Sequence, residues 1–407
     1  MAPAQPRAMV IGGSLGGLFT GLLLRKSGWS VDVYERVGSE LSGRGAGIVT
    51  HPELVAALAA VDIHPGDELG VRIDERRTLA PDGSVVGGLR CPQTTTSWNR
   101  MFQMLRAAFP DERYHPGKEF VGFEDLSGRV VAYFADGSQA AGDLLVGADG
   151  FRSAVRGQFL PEVEPLYAGY TAWRGLVEES ALTPAAHRDL FAYFAFCLPP
   201  GEQMLGYPVA GPDDDLRPGR RRYNFVWYRP ADEHTELADM LTDRSGRRHS
   251  LSIPPPLIAH HVVRTMRACA ERVLAPQFRD LVRATGQPFL QPIYDLESPQ
   301  LVCGRVALVG DAAFVARPHV GAGVAKAAMD AEALVAALRE EPDLGAALAR
   351  FDAVRREAGT RIVEQARRLG SYMRMRFRDE AERALAARHR TPEAVMRETA
   401  VLDFLRG

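Results

Sequence analysis

The chain predicts an α/β fold in which a parallel-sheet dinucleotide-binding domain carries a second, mixed β-sheet domain and ends in helices. Three observations predict it. An apolar run, Ala8-Met-Val-Ile11, enters the glycine-rich turn Gly12-Gly-Ser-Leu-Gly-Gly17 and then a helix-forming stretch. Aromatic-rich segments of alternating hydrophobicity fill residues 165–230. An arginine-rich stretch with apolar residues at helical spacing fills 345–378.

The elements follow in order. Residues 8–11 read as a buried strand, Leu18 to Lys26 as a helix stopped by Gly28, and Ser30 to Tyr34 as a second strand. This opens a βαβ unit with a parallel sheet. Residues 97–109 read as a helix with Ser97 as N-cap and Pro110 as stop. Strands are predicted near 119–124, 129–135 and 143–147. The middle alternates in the manner of an antiparallel or mixed sheet: Tyr170–Arg174, Phe191–Phe196, Met204–Pro208 and Tyr223–Tyr228, with turns at 199–201 and 211–215. Helices are predicted at 257–272 and 276–284, a buried strand at Val306–Val309 and a helix at 321–340. The expected division is 1–160 with 290–340 for the dinucleotide-binding domain, 161–289 for the sheet domain and 341–407 for a C-terminal helical region. Leu348, Phe351, Val354, Ile362, Val363 and Leu369 predict a helix packed over the dinucleotide-binding domain, with a homodimer interface as the alternative.

Composition excludes several classes. Of 407 residues, 46% are hydrophobic and 25% charged, which is ordinary for a soluble globular chain. The net charge is −2 and no long Lys/Arg run exists, so no nucleic-acid partner is expected. No apolar stretch of about 18 residues exists, so no membrane span is expected. The N-terminus shows no signal-peptide pattern, which predicts a cytoplasmic protein. Cys91, Cys197, Cys269 and Cys303 are far apart and form no CxxC, so they read as buried free thiols, with no metal site. Lysine is confined to Lys26, Lys118 and Lys326.

Three motifs carry the chemistry. In the first, which follows a strand and opens a helix, Gly12 permits a tight turn, Ser14 keeps the middle of the GxGxxG template small and Gly17 allows close helix–strand packing. Glu35 closes the second strand, where a carboxylate can accept hydrogen bonds from a ribose diol. The second motif is Asp143-Leu-Leu-Val-Gly-Ala-Asp-Gly150 with Arg152, Ser153 and Arg156. The third is Val306-Ala-Leu-Val-Gly-Asp311-Ala-Ala, followed by Arg317-Pro-His-Val-Gly321-Ala-Gly323. There a buried strand ends in Asp, and a glycine turn opens a helix whose free N–H groups suit an anion or a polarised carbonyl.

These motifs, in this order and with Trp98-Asn-Arg100, resemble the FAD-dependent aromatic hydroxylases, the single-component class A flavoprotein monooxygenases, over about residues 8–375. Gly45–Ile48, Tyr170–Leu176, Asn224–Arg229 and Arg317–Asp330 are similar to those of the 2,6-dihydroxypyridine 3-hydroxylase type. The resemblance implies a Rossmann-like FAD-binding domain, a mixed β-sheet substrate domain and C-terminal helices. It also implies non-covalent FAD, NAD(P)H as a transient co-substrate, and O₂. The implied reaction is hydroxylation of an electron-rich hydroxypyridine or phenol through a flavin C4a-hydroperoxide. By the same resemblance Gly12, Ser14, Leu15 and Gly17 cradle the dinucleotide, Glu35 holds the adenosine ribose and Arg36 lies beside it. Arg44 and Arg100 approach the pyrophosphate or ribityl region, and Val121 meets the adenine through its backbone. Asp311 holds the ribityl chain. Gly321, Gly323 and Val324, in the 321–324 turn, lie under the isoalloxazine, Pro318 is a further cofactor contact, and Asp149 and Arg156 belong to a segment linked to FAD and nicotinamide use. Phe314 and Ala325 depart from the His and Asn that many relatives carry.

Such chemistry needs a dry pocket and a group that helps a ring hydroxyl lose its proton. His319 is the candidate base by position, and Tyr207 on a roof strand is the second catalytic candidate. Tyr193, Tyr223 and Trp227 on the same sheet, with His51 near the Gly45–Gly47 turn, are candidate substrate contacts; core packing is the competing reading of each aromatic. An FAD-dependent oxidase or dehydrogenase and a non-catalytic flavoprotein are the alternatives. No Trp-x-Trp-x-Ile-Pro segment marks a halogenase, and no second GxGxxG marks a two-Rossmann oxygenase.

Overall fold

A computed structural model describes residues 5–39, 47–373 and 377–405. Its first sheet has six strands, in the order Val302–Cys303, Val306–Leu308, Leu144–Gly147, Arg7–Ile11, Ser30–Glu35 and Tyr114–Pro116. All pairs are parallel except that of the edge strand Val302–Cys303. Residues 8–11 and 144–147 are buried throughout. Helices covering both faces of a parallel sheet select for such unbroken apolar runs. The helices Leu15–Lys26 and Gly323–Glu340 pack on each other here, with Gly16 facing Ala327: a Cβ on Gly16 would meet that of Ala327 at 3.4 Å, in van der Waals contact.

The second sheet has nine strands, in the order Phe314–Val315, Phe289–Glu297, Leu166–Glu178, Arg222–Pro230, Gln203–Val209, Tyr193–Cys197, Val71–Leu79, Val85–Ser97 and Gly47–Val49. It is mixed, since Tyr193–Cys197 and Val71–Leu79 pair in parallel while the other pairs are antiparallel. Its strands at 47–97 and 289–315 fall outside the expected 161–289, so the chain crosses between the two sheets more often than the sequence division allows. The strand over residues 85–93 alternates only between exposed and half-buried positions, and its two glycines and proline hide it from a reading of hydrophobic periodicity. A third sheet of three antiparallel strands spans Phe120–Leu126, Arg129–Phe134 and Gln139–Gly142.

The large sheet has two different faces. Trp173, Val177, Tyr223, Phe225 and Trp227 form a core with the helices His260–Val273 and Pro276–Ala284. Tyr170, Ala172, Leu205, Tyr207, Val226 and Tyr228 belong to the opposite face, with residues of the C-terminal helices Glu380–His389 and Pro392–Glu398. The long helix Leu344–Leu369 packs on Gly323–Glu340, as its spacing predicts, and buries Leu348, Phe351, Ile362, Val363 and Leu369; Val354 is left 52% exposed. Of the four free thiols, Cys197 and Cys269 are buried, whereas Cys91 and Cys303 are half-buried. No helix among the described residues is long and apolar enough to cross a membrane.

Candidate active site

The three motifs follow adjacent parallel strands. Gly12 follows Arg7–Ile11, Asp149 follows Leu144–Gly147, and Asp311 follows Val306–Leu308. The carboxyl ends of such strands are where open α/β sheets bind ligands. Gly12 has φ +106°, and a Cβ there would lie 2.4 Å from the Ala148 carbonyl oxygen; one on Gly17 would lie 1.8 Å from that of Gly12. Neither turn has room for a side chain. The Glu35 carboxylate accepts hydrogen bonds from the Gly13 and Val37 N–H groups, each at 2.8 Å, and so holds the turn from the neighbouring strand.

The helix Leu15–Lys26 starts at Ser14 with no side-chain cap and no acid in its first turn, and the same holds for Gly323–Glu340 at Ala322. Two helix starts therefore leave N–H groups and positive dipole ends for a ligand. The Asp311 side chain is 51% accessible but deep in the cleft, where burial raises its carboxyl and Lys326 partly opposes the rise. Lys326 is almost wholly buried, and its Nζ lies 3.8 Å from both Asp311 and Asp330 with no hydrogen-bond partner. Asp330 in turn accepts from the Gly310 N–H at 2.8 Å and from Arg355 Nε at 2.7 Å. An acceptor for a polyol, an under-satisfied cation and two uncapped helix starts fit the phosphates and ribityl chain of FAD.

Asp149 and Arg156 serve this cradle indirectly. The Asp149 carboxylate accepts from Ser153 Oγ at 2.5 Å and from the Ala154 N–H at 2.7 Å, at the start of the helix Ala154–Phe159. Buried Arg156 donates to the Ala312 and Phe151 carbonyls at 2.9 and 2.8 Å, tying the second motif to the third. Val121 lies at a register shift of its strand and is 60% exposed, which leaves its backbone off the regular ladder. Arg36 is exposed. Arg100 is held by the Glu68 and Asp214 carbonyls and does not line the cavity described next. Arg44, with Gly45 and Ala46, lies outside the described residues.

A cavity of ≈ 400 Å³ lies between this cradle and the large sheet. Asp311, Pro318, Gly321, Gly323 and Val324 line one side; Arg174, Phe194, Leu205, Tyr207, Tyr228 and Gln291 line the other, and Thr399 and Ala400 close it. Burial pushes the Tyr207 phenol up to about 12 and raises Tyr228 as well, with the nearby Arg174 cation opposing both shifts. Both phenols are therefore protonated donors at neutral pH.

The structure brings Tyr207 into the cavity but not the other polar candidates. His319 is 1% exposed and not a lining residue; its Nε2 lies 2.8 Å from Tyr170 Oη. Burial and the adjacent Arg317 push its pKa down to about 3. This geometry does not meet the expectation of a base at His319. Tyr223 and Trp227 face the helical layer, and Trp227 Nε1 donates to Glu202 at 2.8 Å. Tyr193 lies under the Arg77 guanidinium, 3.5 Å from its ring centre, outside the cavity. His51 touches the glycine turn instead, with Nε2 3.1 Å from the Gly321 carbonyl oxygen. The sequence reading missed Arg174, Tyr228 and Gln291. No local signal in the sequence marks Tyr228: only the observed pairing, Met204 with Trp227 and Tyr207 with Asn224, puts the even-numbered residues of the partner strand on the Tyr207 face.

Comparisons with known proteins agree with this geometry. The FAD binding domain-like family matches residues 167–295. The chain is 34% identical to the 2,6-dihydroxypyridine 3-monooxygenase of Paenarthrobacter nicotinovorans over 92% of this chain and 93% of that one. It is 32% identical to the FAD-dependent urate hydroxylase of Klebsiella pneumoniae over 89% of each. Among solved structures, 2,6-dihydroxypyridine-3-hydroxylase from Arthrobacter nicotinovorans superposes with a TM-score of 0.86 at 33% identity, covering 92% of this chain and 94% of that one. Klebsiella pneumoniae HpxO complexed with FAD and uric acid superposes with a TM-score of 0.73 at 25% identity, covering 96% and 95%. With its three motifs on adjacent strands and a cavity roofed by the second sheet, this chain belongs to the FAD-dependent aromatic monooxygenases.

Proposed function

We propose that the chain hydroxylates an electron-rich nitrogen heteroaromatic ring of the hydroxypyridine type, using NAD(P)H and O₂. One observation carries this reading: a single cavity joins Asp311 and the Gly321–Val324 turn to a roof of Phe194, Tyr207 and Tyr228. A ring seated against that roof meets the cofactor side directly. The relatives named for 2,6-dihydroxypyridine and for urate both act on oxygenated nitrogen heterocycles, which supports the ring class. Bound FAD supplies the electron transfer from NAD(P)H and the activation of O₂. The chain's own residues orient and desolvate. Phe194 and Leu205 offer apolar contact, the phenols of Tyr207 and Tyr228 offer hydrogen bonds, and Thr399 with Ala400 helps exclude water. A reaction that consumes NAD(P)H fits a cytoplasmic enzyme. The test is a panel of hydroxypyridines, urate and simple phenols, scored for stimulated NADH or NADPH oxidation and for product one oxygen heavier. Stimulation by a hydroxypyridine is expected; a panel in which no ring raises oxidation above background contradicts the reading.

A further inference from the structure

The glycine turn of the first motif is gripped by a side chain that none of the three motifs contains. Tyr114 begins the edge strand Tyr114–Pro116, where it pairs with Val33. Its Oη donates to the Gly13 carbonyl at 3.0 Å, while Glu35 accepts from the Gly13 N–H at 2.8 Å. Both polar groups of Gly13 are therefore held by side chains of other strands. The fit is tight: a Cβ on Gly13 would lie 2.4 Å from Tyr114 Oη and 2.8 Å from Glu35 Cβ. The tyrosine is itself pinned. Arg106, on the helix Trp98–Ala108, lies over its ring at 4.3 Å and donates to the Phe109 carbonyl at 3.0 Å and to Asp111 at 2.7 Å. Burial and the nearby Glu35 carboxylate push the phenol up to about 12, so it remains a donor at neutral pH.

We infer that Tyr114 is a positioning residue for the cofactor, its hydroxyl fixing the Gly13–Ser14 peptide so that the Ser14 N–H is aimed at the phosphates of FAD. A peptide unit is planar and trans, so its carbonyl and its N–H point in opposite directions. With the Gly13 carbonyl tied to Tyr114, the Ser14 N–H points away from that ring, at the uncapped start of the helix Leu15–Lys26. A helix start offers an anion several N–H groups, and donors aimed before binding spare the cost of ordering them afterwards. Glu35 sets the peptide before Gly13 in the same way, so two side chains fix two successive peptide planes of the turn. The GxGxxG template specifies the shape of the turn and leaves open what holds it from outside. Tyr114 supplies that hold, and Arg106 acts through Tyr114. The inference rests on FAD binding alone and is independent of the ring that is hydroxylated.

The experiment uses the full chain freed of flavin and two probes, FAD and ADP. Binding is read from flavin fluorescence and from displacement of FAD by ADP, which carries the two phosphates without the flavin. Tyr114→Phe should weaken both probes by the same factor, about three- to tenfold, the loss of one hydrogen bond to the turn. A merely structural tyrosine would lower the unfolding midpoint and leave the affinities of the folded protein unchanged, so both are measured, with circular dichroism reporting the folded fraction. Arg106→Gln keeps the hydroxyl but frees the ring, and should weaken FAD and ADP equally by about twofold or more. It carries the test if Tyr114→Phe does not fold. Wild-type affinity for both probes in the folded variants overturns the inference. A loss confined to FAD, with ADP bound as in the wild type, overturns it too, because the effect would then lie on the flavin half.

Discussion

His319 Nε2 and Tyr170 Oη lie 2.8 Å apart in the core behind the Pro318–Val320 turn, with the ring centres of Tyr228 and His319 4.3 Å apart. The Ala400 N–H donates to the His319 carbonyl at 2.8 Å, so the residue joins the cofactor-facing turn, the sheet and the C-terminal segment. His319 is a buried neutral strut. Its side chain orients Tyr170, and its backbone anchors the segment that closes the cavity.

That burial has a pH consequence. The folded-state pKa of His319 is about 3, below its ordinary 6.5. Between those values the unfolded chain binds a proton that the folded chain does not, so stability falls as the pH drops through that window. The contribution is up to about 1.4 kcal/mol per pH unit. Denaturant unfolding at several pH values should give a shallower acid slope for His319→Gln than for the wild type; equal slopes would exclude a buried neutral histidine.

The cofactor cradle is tested at Asp311 and Gly17. Asp311→Ala removes a charge-assisted hydrogen bond of roughly 1.5–3 kcal/mol, so FAD should bind at least tenfold more weakly in a flavin fluorescence titration. Gly17→Ala forces a Cβ to within 1.8 Å of the Gly12 carbonyl oxygen and should destabilise the fold by about 1–3 kcal/mol, with loss of flavin. Acid precipitation of the wild type should release all flavin, one per chain, into the supernatant.

Much of this was legible in the sequence. Short parallel strands running into glycine turns leave a local signature, so Gly12–Gly17, Asp149 and Asp311 could be found without a structure. The helix over 97–109 could be read from its cap, and Ser97 Oγ accepts from the Arg100 N–H at 3.0 Å. The substrate face was not legible, because a one-residue change of parity exchanges cavity for core. Tyr223 and Trp227 look as suitable as Tyr228 until the register of the strands is known. The wall formed by Thr399 and Ala400 was invisible, since it is held by Arg76 and Gln93, 323 and 307 residues away in the sequence.

That wall depends on Arg76. Its guanidinium is buried, donates to the Met396 and Thr399 carbonyls at 2.6 and 2.7 Å, and lies 4.9 Å from the Phe194 ring centre. Gln93 Nε2 adds a bond to the Ala400 carbonyl at 3.0 Å. Arg76→Met should release the segment, at a cost of about 1.5–3 kcal/mol per charged hydrogen bond lost. Water then enters the cavity. The variant should keep its FAD yet consume more NAD(P)H per product formed, measured as the ratio of the two; an unchanged ratio would remove the segment from the functional cavity.

Oxygen labelling of the holoenzyme tests the central claim most directly. Purified protein, reduced nicotinamide and 2,6-dihydroxypyridine are incubated under isotopically heavy O₂, and the ring product is weighed by mass spectrometry. The account predicts one heavy oxygen atom on the ring carbon skeleton, with NAD(P)H consumed in near-equal amount. An unaltered ring with all consumed NAD(P)H recovered as hydrogen peroxide, across the hydroxypyridines tested, would contradict it.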